Sequence, residues 1–398
     1  VSIQNFYYTI TSSRSFFIQM VFTLNAIYYV TQADLNALQL ILIGTIMEIS
    51  VLLFEMPTGL YADHFGRKRS LALGTIIIGL AHVIEGSTPE FWAIAFSSAM
   101  WGIGWTFISG AEQAWIADEL DGTNLETTFL RGSQFSSFAR FAGILASMAI
   151  AAFWSVQTVI IFAGVMLIAL AVWAFIKLPE TKFVRVTREK GVSGITHMVN
   201  TIKVGLSQIR GKTMLVSIAV VTLLWGLASE GFDRLYGAHF ITNFDLSDDE
   251  SIYWFGAFYA IAFILNIGVL HFVEKNVKGR YADVLLLTNA VLTGTMLIFA
   301  WTGHFWLAVA MYWVTSALRN VNYPLMSIIT NEQIESKGRA TTLSMFGQLD
   351  ALGQIVGGPL VGLFALYTTI AGGISASAFL ILPVLYFFWR IKTKMAQS

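Results

Sequence analysis

Several ionisable side chains stand inside long apolar stretches of this sequence, where a charge is most expensive. Glu48 lies near the middle of 38–59 and Arg140 near the middle of 129–151. Glu230 and Asp350 lie deep within 213–240 and 340–366, Arg319 lies midway through 305–330, and Arg14 lies a third to half of the way into 4–30. A carboxylate deprived of water holds its proton more readily and can trade it with solvent near neutral pH. An arginine stays charged, so it can anchor an acid, favour the acid's ionised form or bind an anionic solute. Two chemistries are therefore open. One is reversible protonation tied to solute binding; the other is permanent acid–arginine pairing that only holds helices together. Glu48 is the first choice for proton coupling or solute contact, followed by Glu230 and Asp350. Arg140 and Arg14 would anchor or tune such an acid, and Arg319 suits either role.

Aromatic and amide side chains widen the choice of solute. Trp101, Trp105, Trp225, Tyr236, Trp254, Tyr259, Trp313 and Phe346 are candidates to line a cavity, although each alone suits packing as well. An aromatic cavity with a few acids fits a lipophilic, often cationic solute. Arg14, Arg140 and Arg319 together would fit an anion. Gln19, Asn25, Asn266, Asn289, Asn320, Asn322, Gln348 and Gln354 would serve a hydrogen-bonding solute such as a sugar, and serve equally as interhelical glue.

These residues must be positioned by membrane helices. The chain has 398 residues, of which 56% are hydrophobic and only 12% charged, with a mean hydropathy of +0.67. A soluble domain carries about 25% charged residues. Apolar runs of about 20 residues recur throughout, and in hydrocarbon such runs are helices because each backbone group must be satisfied within its own segment. The pattern predicts an all-α membrane protein with twelve spans, near 4–30, 38–59, 70–86, 91–117, 129–151, 155–177, 213–240, 251–273, 282–301, 305–330, 340–366 and 368–390. The chain begins at Val1, so a few initial residues are expected to be missing. Its first apolar run is expected to be a span, not a cleaved signal peptide.

Charge placement supports this division. Arg14, Arg131, Arg140, Arg234 and Arg319 fall inside spans. All other bases fall at even-numbered connections or the C-terminus: Arg67, Lys68 and Arg69; those from 177 to 212; Lys275, Lys278 and Arg280; Lys337 and Arg339; Arg390, Lys392 and Lys394. The odd-numbered connections, with the last turn of span three, hold Asp34, Glu85, Glu90, Asp245, Asp248, Asp249 and Glu250 and no base. Bases collect on the cytoplasmic side, so both termini are expected there, in a cell membrane. The residues 178–212 form the longest piece outside the spans. Ile195, Met198, Val199, Ile202, Leu206 and Ile209 recur there at helical spacing with Lys203 and Arg210, predicting an amphipathic helix on the inner surface. The expected plan is a bundle of six helices over 1–177, a linker over 178–212 and a second bundle of six over 213–398. Bases at 275–280 sit between spans eight and nine as those at 67–69 sit between two and three, which suggests paired repeats with a site at mid-depth.

The connection between spans two and three carries the most specific pattern, Gly59-Leu60-Tyr61-Ala62-Asp63-His64-Phe65-Gly66-Arg67-Lys68-Arg69. It resembles the signature loop of the major facilitator superfamily: Gly, three residues, Asp, two residues, Gly, Arg, then bases. With twelve spans and a central linker, the resemblance covers nearly the whole chain and implies the major facilitator fold. Phe54-Glu55-Met56-Pro57-Thr58-Gly59 and Ser109-Gly110-Ala111-Glu112-Gln113-Ala114 resemble bacterial efflux-type members, of the multidrug and tetracycline kind. Two parts of the antiporter pattern are missing: span four has no arginine, and Phe138-Ala139-Arg140-Phe141-Ala142-Gly143 has no proline. A Gly-Pro pattern occurs instead in span eleven, from Gly353 to Gly362. The resemblance implies a cytoplasmic gate formed by Gly59, Asp63, Gly66, Arg67 and Lys68, with Glu55 and Glu112 near it. Asp63 would cap the start of span eleven near 338–342, where a carboxylate meets orphan N–H groups and the positive end of a helix dipole. Gly59 and Gly66 would allow close packing and a tight turn. Asp118, Glu119 and Asp121 read as a solvated turn facing Arg131.

Other functions are poorly served. No HExxH, GxSxG or GxxxxGK[ST] pattern is present, so no enzyme and no intrinsic ATP drive is expected. The histidines are scattered without metal spacing, there is no cysteine, and a net charge of zero implies no nucleic-acid partner. No cofactor is expected beyond a proton gradient. The expected partners are the lipid bilayer, protons and a small-molecule substrate, with the chain acting as a monomer. The reading is a secondary active transporter that exports lipophilic, drug-like molecules by alternating access in exchange for protons. The alternative is proton-linked or facilitated uptake of a small metabolite such as a sugar or organic anion.

Overall fold

The computed structural model describes residues 2–185, 194–277, 279–334 and 339–395. The described residues are almost wholly helical. The helices are α1 (Ile3–Ile27), α2 (Ala37–Phe65), α3 (Arg67–Ser87), α4 (Phe91–Glu119), α5 (Leu125–Phe153), α6 (Val156–Lys177) and α7 (Gly194–Ile209). They continue with α8 (Thr213–Asn243), α9 (Asp248–Asn276), α10 (Tyr281–Trp301), α11 (Phe305–Gln333), α12 (Arg339–Tyr367) and α13 (Ile370–Met395). A single π-helical turn, Tyr28–Gln32, extends α1.

Ten of these helices are long and apolar enough to cross a bilayer. The protein is thus an all-α, multi-pass membrane protein. α1 and α11 are also long, at 25 and 29 residues. They fall short in apolarity because α1 carries the run Ser12, Ser13, Arg14 and Ser15, and α11 carries Arg319, Asn320 and Asn322. α7, at 16 residues, is too short to span and lies where the sequence pattern predicts an amphipathic helix.

The chain divides into two compact units. One comprises residues 1–34, 46–195 and 248–256; the other comprises 35–45, 196–247 and 257–398. In the first unit α3 packs along α4 and α6, and α1 along α5. The contacts of α3 are made at backbone distance. A Cβ on Gly104 would press on Ile78 and the Gly74 carbonyl, and one on Gly164 would press on the Gly79 carbonyl and Val83. Without a strong hydrophobic drive between helices in lipid, such close approach supplies the packing that holds them together.

In the second unit α8 is central, with α12 and α13 packed along it and α10 bridging α13 and α11. Gly226 of α8 lies against the Asp350 carbonyl, while Gly353 and Gly357 of α12 lie against the backbone of α8 at Leu223 and Leu227. The Gly353-x-x-x-Gly357 spacing places both glycines on one face of α12. Their missing side chains bring the acid at position 350 up to the polar residues of α8.

One expectation about local structure is corrected. The connection 60–69, expected as a polar loop between two spans, is helical almost throughout. α2 runs through Pro57 to Phe65, α3 begins at Arg67, and Gly66 alone makes the turn. The bases sit on helix ends that outlast the apolar stretches.

Candidate functional site

The second unit holds a cavity of about 270 Å³ whose lining mixes both charges, amides and rings. Asp233 and Phe232 reach it from α8, Arg319, Asn322 and Tyr323 from α11, and Asp350 and Gln354 from α12, with Trp225 closing one side. Arg319 grips Asp233 through both guanidinium nitrogens, with Nη2–Oδ2 at 2.6 Å. Its guanidinium lies 5.5 Å from the centre of the Phe232 ring. Fork, carboxylate and ring fix the arginine's direction as a lone lysine could not be fixed.

Asp350 differs. Its Oδ2 accepts a hydrogen bond from Gln354 Nε2 at 2.9 Å, and among the described residues it belongs to no ion pair. A carboxyl group in this position can gain or lose a proton without first breaking a salt bridge. Glu230 is 4% exposed, and its Oε2 accepts from Arg234 Nε at 3.1 Å. The amide wall is equally ordered. Trp225 Nε1 donates to Asn289 Oδ1 at 2.9 Å, and Asn322 Oδ1 accepts from Thr288 Oγ1 at 2.8 Å. Buried polar groups tied together in this way hold one another in fixed positions.

Of the candidates named from sequence, Arg319 and Asp350 thus meet at one cavity, and Glu230 lies on the same helix as Asp233. Sequence reasoning missed Asp233 as a site residue because it falls toward the outer end of its span. Its spacing from Phe232 and Trp225 on α8 was an available signal.

Arg14 and Glu112 lie in the first unit, where they pair. Arg14 Nη2 donates to both carboxylate oxygens of Glu112 at 2.5 and 2.7 Å. Arg14 is 5% exposed, and its Nη1 is buried without a partner. Glu112 therefore stands against Arg14 and not against the bases of the α2–α3 turn. Nearby on α4, Trp101 and Trp105 stack with ring centres 5.6 Å apart and planes 9° from parallel, and Phe22 leans on Trp101. Arg140 is elsewhere: it is exposed on α5 and donates to Ser137 Oγ at 3.3 Å. Glu48 is half-buried on α2. The structure does not bring Arg140 into the Arg14–Glu112 pair.

The α2–α3 turn is held from an unexpected direction. Asp63 and Arg67 pair across it at 2.5 Å. Gly66 has φ 111°, a backbone state that favours glycine, and a Cβ there would also strike the Glu180 carboxylate. Glu180, just beyond α6, accepts a hydrogen bond from the backbone N–H of Lys68 at 2.8 Å. It caps α3 from a distant part of the chain. The Lys68 ammonium lies 5.7 Å from the centre of the Phe175 ring. Gly59 has nothing within 4 Å of where a Cβ would stand, so close packing does not explain this glycine. Glu55 is exposed. The expected cap of Asp63 on span eleven falls in part at residue 338, outside the described residues.

Glu119 is not a solvated turn residue. It is 3% exposed and accepts from the backbone N–H groups of Thr181 and Lys182, at 2.6 and 3.0 Å, and from Thr181 Oγ1 at 2.9 Å. Asp121 pairs with Lys182, and Trp115 Nε1 donates to the Pro179 carbonyl at 2.7 Å. Residues 179–182 are thereby fastened to the first unit. The signal available in sequence was the Pro179-Glu180-Thr181-Lys182 stretch at a helix end. Among the described residues no group of three His, Cys, Asp or Glu is placed to hold a metal ion.

The described fold has counterparts of known structure. The chain is similar to the nucleoside transporter NupG, with 12% identity and a TM-score of 0.75, covering 98% of this chain and 99% of that one. It is similar to a bacterial homologue of the human lysosomal transporter Spinster, inward-facing and unoccupied, with 13% identity and a TM-score of 0.76 over 99% and 97% of the two chains. A POT family transporter in complex with 5-aminolevulinic acid gives 11% identity and a TM-score of 0.73 over 98% and 96%. In sequence the chain is 23% identical over 377 residues to the uncharacterized MFS-type transporter YxaM of Bacillus subtilis (strain 168), covering 91% of this chain and 89% of that protein. The family model for the Major Facilitator Superfamily matches residues 8–275. The chain belongs to the Major Facilitator Superfamily, and is a membrane transporter and not an enzyme.

Proposed function

We propose that this transporter takes up a small polar metabolite, driven or biased by a proton bound at a carboxylate of its second unit. The observation that carries this reading is the cavity in which the Arg319–Asp233 pair, the amides of Asn322 and Gln354 and the Asp350 carboxyl converge. Such a lining recognises a solute by directed hydrogen bonds and charge, since a solute lacking the matching groups would leave buried polar atoms unpaired. The nucleoside and the 5-aminolevulinic acid named for two proteins of this fold are solutes of that chemical kind, which supports uptake over drug export.

In the full proposal α1 and α11 complete twelve spans, arranged as bundles over 1–177 and 213–398 with a linker over 178–212, in a cell membrane with both termini cytoplasmic. Transport proceeds by alternating access. Substrate and proton shift the balance between inward- and outward-open states only if each binds one state better than the other. Asp350 is the preferred proton carrier, with Glu48 and Glu230 next; Arg319 orients the solute, and the Arg14–Glu112 pair provides the polar group of the first unit. Asp63, Gly66, Arg67 and Lys68, joined by Glu180, form the cytoplasmic gate. Export of a lipophilic compound in exchange for protons is the second reading. The stacked Trp101 and Trp105 rings favour it.

The test uses purified protein in sealed liposomes with an imposed pH gradient and a lumenal pH dye. Nucleosides, amino acids, sugars and lipophilic cations are added singly. Uptake predicts that a polar metabolite and protons move in the same direction. Proton movement opposite to a lipophilic cation would replace this reading with the second one.

A further inference from the structure

The second unit carries a larger hollow, separate from the polar cavity. α12 and α13 each pack along α8 but touch one another much less. Between them runs a groove of about 920 Å³ with Leu227 of α8 on its floor, Leu360 and Phe364 on one wall and Ala376 and Phe379 on the other. The small residues Gly357, Gly372, Ser375 and Ala376 leave this space unfilled by protein.

Three features restrict what occupies it. First, α12 and α13 are both long and apolar enough to cross a bilayer, and a mouth between two such helices meets hydrocarbon in preference to water. Leu360, Phe364 and Phe379 are exposed and carry the lipid-facing surface into the groove. Second, the polar atoms of the lining are already engaged. Trp301 Nε1 donates to Ser375 Oγ at 2.9 Å, Ser375 Oγ to the Ala371 carbonyl at 2.8 Å and Thr368 Oγ1 to the Phe364 carbonyl at 2.6 Å, while Thr369 Oγ1 accepts from Gly372 N at 2.9 Å. A hollow whose polar groups are satisfied does not hold water well. Left empty, its walls would lose their dispersion contacts. Third, the rim at 368–369 bears no charge, so nothing there selects an ionic headgroup. The bases of α12 and α13 lie at the opposite ends, at Arg339 and at Lys392 and Lys394, which puts this rim toward the outer leaflet.

We propose that the α12–α13 groove is a binding site for an acyl chain of an outer-leaflet phospholipid. The lipid threads the chain between Leu360 and Phe379 and leaves its headgroup at the 368–369 turn. A chain moving from bilayer to groove gains no hydrophobic free energy, so retention rests on shape and dispersion and is modest. It nevertheless makes the lipid a resident part of the wall behind α8, the helix whose opposite face supplies Phe232 and Asp233 to the polar cavity.

The test is photolabelling in nanodiscs with a phosphatidylcholine that carries a diazirine midway along one acyl chain, followed by peptide mapping. Exposed Leu145 and Phe153 on α5 serve as the reference surface within the same molecule. Label on 357–380 should exceed that on α5 by about fivefold, or ~1 kcal/mol of preference. Ala376→Trp, which fills the groove, should remove the excess and leave the α5 label unchanged. Leu360→Trp alters only the exposed mouth, so it keeps the test valid should the first variant misfold, and it should lower the excess likewise. Equal labelling of groove and α5, or an excess that survives both substitutions, would overturn the site. Loss of the excess on adding tetraphenylphosphonium would assign the groove to a lipophilic solute and also overturn the lipid proposal.

Discussion

Arg319 on α11 closes both guanidinium nitrogens on the carboxylate of Asp233 on α8, across 86 residues of sequence. The pair is only partly screened from water, at 28% and 46% side-chain exposure, so its worth to stability is modest. Its value lies in direction, because a fork gripped at both tines presents its remaining donors in one orientation. Arg319→Lys keeps the charge and loses the fork. Substrate flux in liposomes should fall about tenfold or more, a change of ~1.4 kcal/mol, with little change in thermal unfolding. Flux unchanged by this substitution would remove Arg319 from substrate binding.

Asp350 has an amide partner and belongs to no ion pair among the described residues, so its proton can leave without disturbing a salt bridge. Asp350→Asn should abolish proton movement in the pH-dye assay and leave substrate counterflow at equal pH largely intact. Counterflow and proton movement lost in equal measure would mark Asp350 as a substrate ligand instead of a coupling group.

The Arg14–Glu112 pair is far more buried, at 6% and 15% side-chain exposure. Removing one partner strands the other's charge in the first unit. Arg14→Met or Glu112→Gln alone should cost about 3 kcal/mol of stability. The double variant Arg14→Met with Glu112→Leu should recover most of that, since an apolar pair of similar volume needs no desolvation. Thermal unfolding in detergent ranks the three; a double variant no more stable than either single one would show that the pair does not act as a unit.

Glu180 caps α3 through the Lys68 N–H, and Gly66 leaves room for that carboxylate. Glu180→Ala should cost about 1 kcal/mol, as the loss of a helix cap does. Amide hydrogen exchange at 67–70 should rise while that of α5 stays fixed. Gly66→Ala combines an unfavourable φ with a collision and should be the more damaging of the two. Unaltered exchange at 67–70 in Glu180→Ala would show that α3 does not depend on this cap.

Much of this arrangement can be read from residue order because a bilayer permits few solutions. A run such as 156–177 has one available structure, and an ionisable residue within such a run stands out wherever it lies. Arg319 and Asp350 are found that way. Their partners are harder to find, since Asp233 and Arg319 meet only after two helices have packed, and a carboxylate near a span end looks like any interfacial acid. Glu119 is misread for the same reason: a cluster of acids at a helix end suggests water, and the backbone N–H groups that bury this one belong to residues 181 and 182. Gly66 is legible because a turn between two helices needs a residue tolerant of positive φ. Gly59 shares the same motif, and the structure shows no contact that demands it. The helical continuation of α2 past Gly59 to Phe65 is hidden because polar composition suggests a loop, although helices often outlast the hydrocarbon.

The single-residue junction at Gly66 has a mechanical result. α2 and α3 are rods of 29 and 21 residues joined at one pivot, with Asp63 and Arg67 strapped across it. A joint with so little slack passes a twist of one rod to the other almost undiminished. Two extra residues at this pivot would absorb the twist, so lengthening the junction should uncouple the rods more thoroughly than removing either strap.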